Sequence, residues 1–167
     1  VHGSTVVLAG TSTGATIKIS ASASTTEITK VGDVDSLIVA SSTAGSQPWV
    51  LQLGGTGATV ECRAVAVTSS GRIYATGWYT APFRPVIHCA LHPGSSCSAG
   101  TSTASSILAP TSQGEDAFVM AMSSAGEPLW LLSVGGAGND RGQALAVSSD
   151  GTIFVSGRFR DTATFGA

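Results

Sequence analysis

The chain has 167 residues, of which 11% are charged, with a mean hydropathy of +0.31 and a formal net charge of −2. This apolar content excludes a disordered chain, and the charge argues against nucleic-acid binding, which requires a basic face. No apolar run reaches the roughly 18 residues of a membrane helix. About a quarter of the residues are Ser or Thr and 21 are Gly, which favours short β-strands and many turns.

Residues 1–32 read as the end of one repeat unit followed by a connecting segment. The stretch GSTVVLAG, residues 3–10, matches the last strand of the units described below, with Gly10 in the place of Gly77. The absence of an initiator Met and of a basic leader is typical of a mature or trimmed chain. The segment SASASTTEITK, residues 20–30, is rich in Ser and Thr, and we expect it to lie outside the packed core.

Two segments repeat one another, residues 33–79 and residues 114–159. Asp35 matches Asp116, and Trp49 matches Trp130. The recurrence of the aspartate at the start of each unit suggests a turn or strand cap rather than paired catalytic acids. The matching glycines are Gly45 and Gly126, Gly54 and Gly135, Gly55 and Gly136, Gly57 and Gly138, Gly71 and Gly151, and Gly77 and Gly157. Self-similarity at a period of about 45 residues indicates a repeat architecture.

Each unit contains four strand-like phrases, which in the second unit are DAFVMAMS, PLWLLSVG, QALAVSS and TIFVSGRF. Each phrase is apolar or alternating and is bounded by Gly, Ser or Asp, as strands are. The links AGE and SDG suit tight hairpin turns, because Gly tolerates positive φ. Four short antiparallel strands per repeat predict an all-β fold of β-propeller blades, with about two and a half blades present.

Residues 80–113 form a Ser/Thr/Pro-rich insert between the two units, and residues 160–167 begin a link to a next blade. Its stretch HPGSSCSAGTSTASSILAPTSQ, residues 92–113, reads as a surface loop outside the core, either flexible or O-glycosylated. The spacing of Cys89 and Cys97 permits a local disulfide that leaves Cys62 free, with reduced cysteines as the alternative. His88 and His92 flank Cys89, but their spacing does not follow common zinc patterns, so a disulfide-closed or exposed loop is favoured over a metal site.

The phrase W-x-x-x-x-G-G-x-G followed by A-x-A-V-x-x-x-G-x-I-Y/F-x-x-G resembles the SBBP-type β-propeller repeat. The resemblance covers both full units and part of a third. It implies a propeller fold of the kind seen in large secreted or cell-surface proteins, often without known catalytic residues. The insert at residues 80–113 departs from a plain tandem array of blades.

The stretch GGAGND, residues 135–140, fits the calcium-binding turn G-G-x-G-x-D, with Asn139 and Asp140 as the candidate ligands. The first unit has GGTGAT at the matching place, which lacks a carboxylate, and a β-roll site requires tandem repeats of the motif. We therefore favour a turn between strands over calcium, with Asp140 forming a side-chain turn or pairing with Arg141.

The recurring Trp49 and Trp130 are expected to pack between blades, because an aromatic residue at a fixed strand position is usually core. Trp78 and Tyr79 differ in character from Arg158 and Phe159 of the second unit. This difference makes Trp78 and Tyr79 the candidate ligand-binding residues at a surface. We assign no catalytic residue, because neither a nucleophile elbow nor a phosphate loop occurs.

The sequence thus predicts a non-enzymatic structural β-propeller module of an extracellular or cell-surface protein or filament. A carbohydrate-binding propeller is the alternative, and an enzyme with its active site in further blades is a third interpretation. Two and a half blades leave apolar faces and strand edges uncovered. We therefore expect other protein chains or further blades as partners, with glycans as the alternative partner. No nucleic acid, no membrane span and no cofactor is expected, calcium being the alternative.

Overall fold

A computed structural model describes residues 5–21, 24–42, 49–88, 102–104 and 107–165. These residues form fourteen β-strands, and no helix among them is long and apolar enough to cross a membrane. The strands are β1 (Thr5–Ser12), β2 (Thr16–Ala21), β3 (Ser24–Thr29), β4 (Asp35–Ser42), β5 (Trp49–Gly54), β6 (Val60–Val67), β7 (Ile73–Tyr79), β8 (Arg84–His88), β9 (Ser102–Ala104), β10 (Asp116–Met122), β11 (Pro128–Gly135), β12 (Arg141–Val147), β13 (Ile153–Arg158) and β14 (Thr164–Phe165).

The strands form two five-stranded antiparallel sheets and two separate hairpins. The first sheet has the order β1-β4-β5-β8-β9, and the second has the order β6-β7-β10-β11-β14. The hairpins are β2–β3 and β12–β13. The all-β class and the separate antiparallel sheets agree with the fold expected from the repeats.

The sheets do not coincide with the sequence units. The unit at residues 33–79 gives β4 and β5 to the first sheet and β6 and β7 to the second, where β7 pairs with β10 of the next unit. Each sheet therefore joins the second half of one unit to the first half of the following one. The Gly-rich loop after β5 carries the chain from one sheet to the other.

The main core lies between the two sheets. Buried side chains of the first sheet, such as Ile38 and Leu53, meet buried side chains of the second, such as Phe118 and Met120. Alternation along each strand directs every second residue into this layer. The apolar strands of the first unit and the phrase DAFVMAMS of the second therefore form the packed interior.

The segment at residues 20–30 was expected outside the core, and its described residues lie outside the main core, although Ile28 is buried in a smaller cluster. The segment forms part of the β2–β3 hairpin, whose Ile17, Ile19 and Ile28 pack against Leu37 and Val50 on the outer face of the first sheet. The ion pair between Lys18 and Glu27 lies on the solvent side of the hairpin. Side chains alternate between the two faces of a strand, so a Ser/Thr-rich strand can still have one apolar face. Composition alone does not show this face.

Residues 92–113 of the insert were also expected outside the core, and the described part of that stretch corrects this expectation through β9 and the buried Ala109. The insert's strand β8 pairs with β5, and β9 pairs with β8, so both extend the first sheet. Phe83 and Ala109 are buried in the main core, and the amide of Ala109 donates to the carbonyl of Phe83 at 3.0 Å. The insert therefore adds two strands to the first sheet.

Candidate functional site

Matching positions of the two units differ sharply in exposure. Tyr74 is 7% exposed but its counterpart Phe154 is 60% exposed. Leu51 is fully buried, whereas its counterpart Leu132 is 38% exposed. Trp49 is 5% exposed and Trp130 is 37% exposed. The same sequence positions are therefore covered in the first unit and uncovered in the second.

The cover of Trp49 comes from the second sheet. The indole N–H of Trp49 donates to the carbonyl of Ser124 at 3.1 Å, in the turn between β10 and β11. A Cβ added at Gly126 in the same turn would lie 2.6 Å from the Trp49 ring, so the ring packs directly on this glycine. This contact confirms the expected packing of Trp49 between sheets.

Trp130 lacks such a cover among the described residues. Its ring contacts Tyr74, with 6.0 Å between the ring centroids, and its other side is exposed. The pairing of β13 is one-sided. In the described structure β13 pairs only with β12, whereas its counterpart β7 pairs with both β6 and β10. The β10–β11 turn, beside β7, covers Trp49. A pair of strands added beside β13 would cover Trp130 in the same way.

We call the resulting surface the open C-terminal face. Its members are exposed apolar side chains of β11, β13 and β14 and of the residue after β13: Trp130, Leu132, Phe154, Phe159 and Phe165. Phe159 and Phe165 contact each other, with 5.7 Å between the ring centroids. Exposed apolar side chains beside an unpaired strand edge favour an interaction with a further strand.

The sequence-predicted ligand residues lie away from this face. Trp78 and Tyr79 are both buried. The Arg141 guanidinium lies 4.3 Å from the centroid of the Trp78 ring, and the Tyr79 hydroxyl bonds the Ser133 hydroxyl at 2.7 Å. A sugar-stacking platform requires an exposed ring face, which neither residue offers.

The side chains of Asp35, Gln52 and His88 are linked by hydrogen bonds, and we call them the polar chain. The buried carboxylate of Asp35 accepts hydrogen bonds from the amides of Val31 and Gly32 and from Nε2 of Gln52 at 2.6 Å. This contact orients the Gln52 amide, so its Oε1 accepts from Nε2 of His88 at 2.7 Å. The recurring aspartate is thus a cap for the turn before β4, as the sequence indicated.

The Gly-rich loop of the second unit holds the other predicted residues. Asp140 is buried and its Oδ1 accepts from the amide of Arg160 at 2.7 Å, while Asn139 is exposed and its Oδ1 accepts from the amide of Glu115 at 3.3 Å. The expected pairing of Asp140 with Arg141 is wrong, because Arg141 forms its ion pair with Glu115. The two predicted ligands therefore do not converge.

The cysteines divide between described and undescribed parts of the chain. Cys62 is a free, buried thiol, and burial raises its pKa to about 12. Such a thiol is inert rather than catalytic. The predicted Cys89–Cys97 bridge and His92 lie outside the described residues.

Comparison with protein families matches residues 49–84 to the family described as the β-propeller repeat, SBBP. The matched stretch runs from Trp49 through the Gly-rich loop and the β6–β7 hairpin to the first residue of β8. No curated protein gives a significant match to the chain. Residues 49–84 are therefore similar to the β-propeller repeat, SBBP, and the antiparallel sheets agree with this similarity.

Proposed function

We propose that this chain is a non-enzymatic structural module of an extracellular or cell-surface protein, which functions by binding a further unit of the same repeat. The observation that carries the proposal is the open C-terminal face. Positions that are buried in the first unit are exposed in the second, and Phe154 against Tyr74 is the clearest pair.

The chemistry of the partner follows from the internal contact. The first half of a unit supplies a strand that pairs with β7 and a turn whose glycine covers Trp49. A further half-unit of this kind would satisfy the edge of β13 and cover Trp130 in the same way. An unpaired strand edge beside an apolar face favours β-strand addition.

One outer face of the packed sheets is covered and the other is not. Further units are therefore expected to add at one end only. The β2–β3 hairpin covers the outer face of the first sheet with Ile17, Ile19 and Ile28. No strand among the described residues covers the open C-terminal face in this way. We expect growth at the uncovered end.

The remaining parts of the proposal rest on composition and on the polar clusters. Asp35 and Gln52 use their hydrogen-bonding groups to hold a turn and His88, which is a structural role. A chain with two lysines and about a quarter Ser and Thr supports an extracellular or cell-surface setting.

The test is the molar mass of the pure chain in solution, by light scattering after size exclusion, because other copies are then the only source of a further unit. We expect species larger than 16.6 kDa that increase with concentration. Phe154→Lys should weaken this association roughly tenfold to hundredfold, since burial of a phenylalanine contributes about 1.5–3 kcal/mol.

Val31→Lys is the matched control, because Val31 is 50% exposed and lies outside the open C-terminal face. It introduces the same charge and should leave the association unchanged. A wild-type chain that stays monomeric at every concentration, or equal effects of the two substitutions, would refute the proposal.

A further inference from the structure

Two buried carboxylates lie side by side in the second unit. Asp116 begins β10, and Asp140 immediately precedes β12. The amide of Asp140 donates to the carbonyl of Glu115 at 2.5 Å, which places Asp140 next to the start of β10. Both side chains are more than nine-tenths buried.

Each carboxylate has an oxygen that no group of the described chain satisfies. Oδ1 of Asp116 and Oδ2 of Asp140 are buried without a hydrogen-bond partner. The nearby cation Arg141 is already engaged by Glu115 and by the Trp78 ring. Buried polar atoms are almost always satisfied, so two such oxygens in one place indicate a missing partner.

In the first unit, the buried carboxylate at the matching position has hydrogen-bond partners for both of its oxygens. Asp35, the counterpart of Asp116, receives two backbone amides and the Gln52 amide. The second unit has Ser133 in the place of Gln52, and that hydroxyl bonds Tyr79 instead. It also has Asp140 in the place of Val60, because the amides of these two residues donate to the matching carbonyls of Glu115 and Val34. One hydrogen-bond donor is therefore lost and one negative charge is gained.

The electrostatics of the pair are unfavourable without a positive partner. Burial, and then the negative charge of Asp140, raise the pKa of Asp116. Two adjacent carboxylates in a buried site are stable only when they share a proton or bind a cation.

Backbone oxygens border the same loop. A Cβ added at Gly136 would lie 2.1 Å from the Thr162 carbonyl oxygen, and one added at Gly138 would lie 2.5 Å from the Arg160 carbonyl oxygen. Carboxylate and carbonyl oxygens are the ligands that Ca²⁺ prefers. The close approach of these groups is what requires glycine at both positions.

We propose that Asp116 and Asp140 together bind one Ca²⁺ ion, which bridges the start of β10 and the loop before β12. The site belongs to the second unit alone, because the first unit has Val60 in the place of Asp140 and a fully bonded Asp35. It differs from a β-roll turn, since Asn139 is not a ligand and the second carboxylate comes from another strand. This inference does not depend on the assembly proposed above.

Calorimetric titration of the chelator-treated chain with CaCl₂ at neutral pH tests the proposal. We expect one ion per chain and a higher Tm with Ca²⁺ than with a sodium salt of equal ionic strength. Asp140→Thr, which removes the carboxylate, should abolish both effects. Asp150→Asn, at an exposed aspartate in a separate turn, should keep both.

Absence of Ca²⁺ uptake by the wild-type chain would overturn the proposal and would indicate a shared proton instead. Equal uptake by the Asp140→Thr variant would overturn it as well. Asp116→Asn gives a second test, because the amide retains an oxygen acceptor for the backbone but removes the charge. It should also abolish Ca²⁺ binding, and retained stoichiometric binding would contradict the assignment.

Discussion

His88 is held by the polar chain that begins at Asp35. The Asp35 carboxylate accepts from Nε2 of Gln52, which leaves Oε1 of Gln52 to accept from His88. The imidazole is half-buried, and burial lowers its pKa below the ordinary value of 6.5. His88 therefore contributes to stability as a neutral donor.

The lowered pKa predicts a loss of stability on acidification. In the unfolded chain His88 binds its proton near pH 6.5, and in the folded chain only at lower pH. The unfolded state then binds more protons in this window, so this contribution is present above pH 6.5 and is lost as the pH falls through the folded pKa. Tm should fall more steeply between about pH 7.5 and about pH 5 for the wild-type chain than for His88→Gln.

Glutamine is the matched control because its amide can donate to Gln52 without titrating. Parallel pH profiles of Tm for the two chains would show that His88 does not contribute in this way.

The sequence predicted some residue roles and missed others for physical reasons. The recurrence of Asp35 and Asp116 at one position indicated a structural cap, which the bonds of Asp35 confirm. The expected pairing of Asp140 with Arg141 failed because neighbours along an extended chain point to opposite sides. Arg141 instead reaches Glu115, 26 residues away, and this contact carries no local signal.

At the scale of the elements, the hairpin turns are the features that the sequence predicted best. The phrases AGE and SDG form turns in which Gly126 donates to the carbonyl of Ser123 and Gly151 donates to that of Ser148, each at 3.0 Å. Both glycines have positive φ, +81° and +88°. The two turns are therefore equal in backbone geometry and differ in what covers them.

This difference predicts unequal costs of the same substitution. Gly151→Ala should reduce the free energy of unfolding by about 1–2 kcal/mol, the cost of a left-handed alanine, because no atom lies within 4 Å of the added Cβ. Gly126→Ala should cost an additional ~1–3 kcal/mol, because its Cβ would lie 2.6 Å from the Trp49 ring.

Denaturant unfolding of the two variants measures the difference between them. Equal losses would mean that the packing of Trp49 on the β10–β11 turn does not stabilise the contact between the sheets.

The partners of the hairpins were harder to predict than the hairpins themselves. The four phrases of the second unit correspond closely to β10, β11, β12 and β13. The sequence grouped them as one blade, but β10 pairs with β7 and β11 with β10, whereas β12–β13 is a separate hairpin. Local patterns fix strands and turns, whereas pairing between hairpins depends on contacts that are distant in the sequence.

At the scale of the whole molecule, the two units show that one sequence position can have two environments. The repeat pattern was sufficient to predict the all-β class. It could not predict that Trp130 would be exposed while Trp49 is buried, because the two residues occupy identical places in the pattern. Exposure depends on which strands are present beyond each unit.

The open C-terminal face also explains why we expect a directional assembly. Its exposed apolar residues lie beside the unpaired edge of β13. A partner that pairs with β13 would bury the face and satisfy the strand edge in one step. A repeat unit can both cover the apolar face and pair with β13, whereas an apolar ligand without a free strand can only cover the face.

Amide hydrogen exchange of the wild-type chain, compared between dilute and concentrated solutions, tests this account most directly. We predict that exchange in β13, Ile153–Arg158, slows as the chain associates, because its free amides gain strand partners. In the Phe154→Lys variant the same amides should remain fast at both concentrations. Association that protects other strands while β13 exchanges unchanged would contradict the claim that the open C-terminal face is the site of assembly.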